Sequence, residues 1–73
     1  MTPSQCRAAR GLLDMTQAEL AEAASLGLST VVDFERKRRR VSTEVADRMR
    51  AALEAAGVEF TNGKRPGVRM NKG

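Results

Sequence analysis

The most restrictive feature of this sequence is a pair of short helical segments separated by three residues. Residues 16–19 read Thr-Gln-Ala-Glu, a capping box that predicts a helix over residues 17–24. Residues 25–27 interrupt the helical pattern, and residues 28–36 resume it. Because the first of these helices carries several alanines, another helix can approach it closely. We therefore expect a core built from short, closely packed helices.

Further helices are predicted on both sides of this pair. Residues 2–5, Thr-Pro-Ser-Gln, have the pattern of a helix start, so we expect a helix over about residues 3–13. Ser42 is a candidate N-cap and Gly57 a candidate stop for a helix over about residues 43–56. The prediction is four helices in all.

After the fourth helix the pattern changes from helical to alternating. Apolar residues alternate over residues 58–61 and 68–70, and Asn62-Gly63 is a turn signal between them. This predicts a short β-hairpin, and its apolar side carries Val58, Phe60, Val68 and Met70. The predicted fold class is therefore all-α, with four helices and a short C-terminal β-hairpin.

The predicted chain divides into a helical domain over residues 1–57, a hairpin over residues 58–70 and a disordered tail over residues 71–73. With 73 residues, two Phe and no Tyr or Trp, the chain must build its core from small aliphatic side chains. A domain of this size is close to the lower limit for folding alone, so dimerisation would supply useful extra burial.

Cysteine content and hydropathy indicate the compartment. Cys6 is the single cysteine, so no intramolecular disulfide forms, and we expect it to be a buried apolar residue in a reducing compartment. No apolar stretch resembles a signal peptide or a membrane span. We expect a cytoplasmic protein without a membrane partner, a metal or a cofactor.

The net charge of +4 is unevenly distributed along the chain. Residues 36–40 are consecutive basic residues, whereas residues 1–35 and 41–63 each carry more acidic than basic side chains. Residues 64–73 are basic again. This concentration predicts a localised contact with a polyanion, although a solvated charge run is an alternative explanation.

Two helices of this length joined by three residues have helix-turn-helix spacing. The segments Thr16-Gln17-Ala18-Glu19-Leu20-Ala21-Glu22, Leu28-Ser29-Thr30-Val31 and Phe34-Glu35-Arg36 resemble the lambda-repressor-like (Xre/Cro type) helix-turn-helix family of transcriptional regulators. Residues 2–10 and 53–69 also resemble a short single-domain subgroup with a Val-Glu-Phe…Pro-Gly-Val-Arg tail.

The resemblance implies that the helix over residues 28–36 is a recognition helix in the major groove of double-stranded DNA. Residues on its outer face are the candidate base contacts, namely Leu28, Ser29, Val32 and Asp33. Residues at helix starts and in the basic loop are the candidate phosphate contacts, namely Thr16, Gln17, Arg36, Lys37, Arg38, Arg39, Arg40 and Thr43. These assignments predict a sequence-specific regulator, with repression or autoregulation as its expected effect.

Arg10 and Glu35 both fall on inward-facing stripes. The family pairs an arginine and a glutamate at these positions, so we expect a partly buried ion pair that sets the tilt of the recognition helix. The sequence departs from the family at Asp14, Ser25 and Lys37, where small residues are usual. If Lys37 adopts a positive φ, the cost is on the order of 1 kcal/mol.

A homodimer is expected because such operators usually consist of two half-sites. The candidate dimer contacts lie away from the recognition helix in sequence, and they are Leu53, Val58, Phe60 and Met70. An enzyme is not expected, because the sequence contains no His and no catalytic motif. The rival hypothesis is a protein-binding module, such as an antitoxin or adaptor, and a second regulatory protein is a further candidate partner.

Overall fold

The structure, a computed structural model, describes residues 1–71, so residues 72 and 73 of the predicted disordered tail lie outside the described residues. Four helices precede a two-stranded antiparallel hairpin, which confirms the predicted fold class. The elements are α1 (Pro3–Leu13), α2 (Gln17–Ala23), α3 (Leu28–Glu35), α4 (Thr43–Ala55), β1 (Val58–Thr61) and β2 (Gly67–Met70). Within the described part of the chain, no helix has the length and apolar character needed to cross a membrane.

Side-chain caps set the starts of three helices. Thr2 accepts a hydrogen bond from the backbone N–H of Gln5 at 3.1 Å, and the Gln5 side chain accepts one from the backbone N–H of Thr2 at 2.8 Å. Thr16 and Glu19 form the same reciprocal box at the start of α2. Ser42 caps α4 with its hydroxyl oxygen. Each cap satisfies backbone donors that have no partner inside the helix.

The first three helices end in Schellman motifs built on residues other than glycine. Asp14, Ser25 and Lys37 occupy the left-handed position, with φ of 52°, 57° and 57°. In each motif the next N–H donates back to a carbonyl of the last turn: Met15 to Arg10 at 2.9 Å, Leu26 to Ala21 at 2.8 Å and Arg38 to Asp33 at 2.8 Å. Helices α2, α3 and α4 end one residue before the predicted positions, because residues 24, 36 and 56 are C-caps.

The core lies where the helices and the hairpin meet. Its members are small or aliphatic apart from one Phe, and they come from every element except β2: Cys6, Ala9, Leu20, Ala21, Ala24, Val31, Met49, Leu53, Val58 and Phe60. Val68 of β2 packs against this cluster from its edge. The hairpin therefore completes the core of the helices.

Gln5 fastens the hairpin to α1. Its side-chain amide donates to the carbonyl oxygens of Thr61 and Gly67, both at 3.1 Å, and the side chain is 4% exposed. Thr61 is the last residue of β1 and Gly67 the first residue of β2, and they pair with each other, so the loop between them comprises residues 62–66. The loop is longer than a two-residue turn at Asn62-Gly63 would be.

Three of the four predicted dimer contacts are buried within a single chain. Leu53, Val58 and Phe60 are 0%, 2% and 9% exposed within a single chain, so they are unavailable to a second copy. They are buried because the hairpin folds back onto α1 and α4. Met70 alone of the four predicted contacts is exposed, at 41%.

We predict that Gln5→Met lowers the free energy of unfolding by about 1–3 kcal/mol, because it keeps the side-chain length but leaves two carbonyl oxygens without a donor. Urea unfolding followed by circular dichroism measures the change. Ser4→Ala, at the exposed neighbouring position, is the control and should unfold close to the wild-type midpoint. Equal midpoints for Gln5→Met and the wild type would contradict this role for Gln5.

Candidate nucleic-acid interface

Helix α3 has one face in the core and one face toward solvent. Val31 and Glu35 are 0% and 1% exposed, whereas Leu28 is 49% exposed. Ser29 is also exposed, and the two remaining predicted base contacts are half-buried. The four predicted base contacts therefore share the solvent-facing side of α3, as the helical spacing requires.

The buried carboxylate of Glu35 anchors the inner face of α3. Arg10 donates to both of its oxygens, each at 2.6 Å. Gln17 donates to one oxygen at 3.0 Å, and the Cys6 thiol donates to the other at 3.2 Å. Since these donors belong to α1 and to the start of α2, one carboxylate joins the first three helices. The predicted partners Arg10 and Glu35 are thus in direct contact.

Two arginines extend this cluster along the backbone. Arg7 donates to the backbone carbonyl oxygen of Glu35, at the end of α3. Arg10 uses its remaining nitrogen to bond the carbonyl oxygen of Met15 at 3.0 Å, in the connection between α1 and α2. Arg7 was not among the residues predicted from the sequence, although its spacing of three residues from Arg10 places both on one side of α1.

The surroundings of Glu35 determine its protonation. Burial raises the pKa of Glu35, but hydrogen bonds from Arg10, Cys6 and Gln17, together with the charge of Arg10, outweigh it and hold the pKa below its ordinary value. Burial and the neighbouring carboxylate raise the pKa of the Cys6 thiol, which therefore stays protonated as a donor. Cys6 is thus a buried member of the ion-pair cluster as well as of the core.

Gln17 and Thr16 have internal partners at the start of α2. One N–H of the Gln17 amide is directed to Glu35, which leaves its second N–H for another acceptor. The Thr16 hydroxyl oxygen accepts from the backbone of Glu19, whose carboxylate adds negative charge to this helix start. A phosphate contact here depends on donors that the capping box does not use, and it stays a prediction.

The outer face of α3 carries an ion pair that the sequence did not predict. Arg39 Nε lies 3.1 Å from a carboxylate oxygen of Asp33 and forms an ion pair with it, with side chains 59% and 24% exposed. Asp33 was predicted to contact a base and Arg39 a phosphate, so the structure joins residues from the two predicted sets. Because both are partly exposed, the pair adds little to the stability of the fold.

The rest of the basic loop is free of acidic partners. Residues 36–40 are all exposed, and among residues 1–71 only Arg39 of this loop forms an ion pair. The Schellman motif at Lys37 turns the chain away from the axis of α3. The ion pair of Arg39 with Asp33 brings the loop to the outer face of that helix. Thr43 is exposed at the first position of α4, just beyond the loop.

Comparison with known proteins supports this assignment of elements. A family model described as helix-turn-helix matches residues 7–60, which include α2, α3 and the connection between them. A search of curated proteins found no match to the chain.

We predict that Glu35→Gln lowers the free energy of unfolding by about 3 kcal/mol, because it leaves the charge of the largely buried Arg10 without its partner. Since the folded-state pKa of Glu35 lies below its ordinary value of 4.5, its stabilising contribution is present above about pH 4.5. That contribution is lost as the pH falls through the lower folded-state pKa.

Urea unfolding curves measured at intervals of about one pH unit, from about pH 3 to about pH 7, test both expectations. Below about pH 4.5, the free energy of unfolding of Glu35→Gln should fall less than that of the wild type. Glu22→Gln, at an exposed acidic position on α2, is the control and should follow the wild type. If Glu35→Gln does not fold, Gln17→Ala removes a single bond to the same carboxylate and should show a smaller destabilisation. A wild-type midpoint for both Glu35→Gln and Gln17→Ala would contradict the role of this cluster.

We predict that Lys37→Gly raises the free energy of unfolding by about 1 kcal/mol, because glycine adopts a positive φ without the steric cost of a side chain. Arg38→Gly is the matched control. It removes the same charge from the adjacent residue, whose φ is not positive, and should therefore be slightly destabilising. Thermal unfolding of the two variants should shift in opposite directions, and shifts of the same sign would argue against strain at Lys37.

Proposed function

The chain belongs to the helix-turn-helix family, of the lambda-repressor-like type, and on this premise we propose that it is a sequence-specific regulator of transcription that binds double-stranded DNA. In this proposal α3 is the recognition helix and enters the major groove. The expected effect is repression, including repression of its own gene, in the cytoplasm.

The observation that carries this proposal is the position of the basic loop beside the exposed face of α3. A DNA duplex presents base edges in a groove that is bordered by phosphates, so a reading helix needs cations next to it. Residues 36–40 supply five consecutive cationic side chains at the end of α3, all exposed. In contrast, the inner face of the same helix is occupied by the Glu35 cluster and the core.

Base readout is assigned to the four exposed or half-buried residues of α3. Ser29 offers a hydroxyl that donates or accepts, while Leu28 and Val32 offer apolar contact to thymine methyl groups. Asp33 accepts from a cytosine amino group only when Arg39 leaves room at its carboxylate. With Arg39 in place, the pair reduces the repulsion between Asp33 and nearby phosphates.

We propose that the protein binds DNA as a homodimer, because operators for this motif usually consist of two half-sites about one helical turn apart. The core residues of the hairpin are excluded as contacts by their burial. Met70, which belongs to the predicted set, is 41% exposed and remains a candidate contact, and Leu12, a large apolar side chain outside α3 that is 46% exposed, joins it. The resemblance of the tail to a short subgroup stays a prediction, since the family match ends at residue 60.

The experiment is a fluorescence anisotropy titration with the DNA upstream of the gene for this protein, at several salt concentrations. We expect the upstream duplex to bind about a thousandfold more tightly than a scrambled duplex. Arg38→Gln should weaken binding to both duplexes and lower the salt slope by about 0.9, the loss of one phosphate contact. Arg65→Gln removes the same charge from the hairpin loop and is the matched control with unchanged slope.

Weak binding that is equal on both duplexes and insensitive to Arg38→Gln would contradict the proposal. In that event the rival function, a protein-binding module such as an antitoxin or adaptor, becomes the better account. Its contact face would be the exposed side of α3, where Leu28 is 49% exposed.

A further inference from the structure

We propose that the groove beneath the basic loop is a binding site for a small organic anion with an apolar body. The groove has a volume of about 660 Å³ and lies between the start of α1, the end of α3, the loop and the first turns of α4. Small-molecule sites in proteins occupy about 300–1,000 Å³, so the groove is large enough for such a ligand. The Glu35 cluster does not line it.

The floor of the groove is apolar. It is formed by side chains from four separate parts of the chain, namely Met1, Pro3, Phe34, Val41 and Ala46. Phe34 is one of only two aromatic residues in the protein, yet it remains partly exposed here and packs only against the edge of the core. An apolar ligand body would cover this surface. Binding would then be stabilised because apolar surface is removed from water.

The rim of the groove is cationic. Lys37, Arg39 and Arg40 line it, whereas Asp47 is the one acidic residue among the described residues of the lining. Arg39 is paired with Asp33, but Lys37 and Arg40 form no ion pair within residues 1–71. These two cations therefore have donors available for an anionic group.

Charge and apolarity together define the ligand class. An inorganic anion would use the rim and leave the floor exposed to water, whereas a neutral apolar molecule would leave the cations without a new partner. A carboxylate, sulfonate or phosphate ester on an aromatic or aliphatic body satisfies both parts of the groove. The occupant is thus an amphipathic organic anion.

Binding at this site has a consequence that rests on the proposed function. Lys37 and Arg40 are also among the proposed phosphate contacts, so a bound anion takes cations away from the DNA backbone. By linkage, a ligand that lowers the affinity for DNA must itself be bound less tightly in the DNA complex. The groove would therefore let a small anion release the protein from DNA.

The test uses anilinonaphthalene sulfonate, a fluorescent amphipathic anion, titrated into the folded protein. Because the chain has no Trp or Tyr, energy transfer from these protein fluorophores does not contribute to the emission of the probe. We expect saturable binding of one probe per chain. N-phenylnaphthylamine has a similar ring system but no anionic group, and it should bind about tenfold more weakly, the loss of one charge-assisted hydrogen bond.

Two variants and one control locate the site. Ala46→Leu fills the floor, and Arg40→Gln removes a rim cation, so each should weaken probe binding by about tenfold. Arg65→Gln removes an equal charge outside the groove and should bind the probe as the wild type does. Circular dichroism and thermal unfolding of each variant establish that the fold is retained, since the probe also binds loosened proteins.

Probe binding that is non-saturable, or that Ala46→Leu leaves unchanged, would overturn the proposal. Equal weakening by Arg40→Gln and Arg65→Gln would also overturn it, because the effect would then reflect overall charge. Addition of the probe to a DNA complex should lower the affinity for DNA in the wild type and much less in Ala46→Leu. If the protein fails to bind DNA, the direct probe titrations still decide whether the groove is a site.

Discussion

The orientation of α3 depends on the buried carboxylate of Glu35. Its oxygens accept from side chains of α1 and from the first residue of α2, and Arg7 holds the backbone at the same point. A different tilt of α3 would leave Glu35 or Arg10 buried without a charged partner, which costs several kcal/mol. Apolar contacts alone tolerate small rotations, whereas two hydrogen bonds of fixed length to one guanidinium do not. The cluster thus fixes the orientation of α3 more than it adds to the net stability of the fold.

The first three helices of the chain end at left-handed positions that are not occupied by glycine. Three left-handed positions carry Asp14, Ser25 and Lys37, and each accepts a conformational cost of about 1 kcal/mol. At Lys37 this cost places a cation two residues after the end of α3 and at the edge of the groove. In a small domain with few aromatic residues, such a cost is a noticeable fraction of the total stability.

The basic loop serves two surfaces at once. One side borders the exposed face of α3, where Arg39 pairs with Asp33, and the other side borders the groove. Side chains as long as Lys and Arg can reach either surface, since their stems are flexible and their charges are strongly solvated. Binding on one side therefore changes the charge that remains for the other. This shared use of cations connects the proposed DNA contact with the proposed anion site.

Local patterns determined much of this protein from its sequence alone. Capping boxes, the three-residue break and the alternation after Gly57 act within a few residues, so they predicted the four helices, the hairpin and the exposed face of α3. The family resemblance added the pairing of Arg10 with Glu35. Contacts between distant segments were decided only by the tertiary structure: the bond from Gln17 to Glu35, the pair of Asp33 with Arg39, the burial of the predicted dimer contacts and the groove. An apolar or charged residue shows in the sequence that it needs a partner, but which partner it meets depends on how the elements pack in three dimensions.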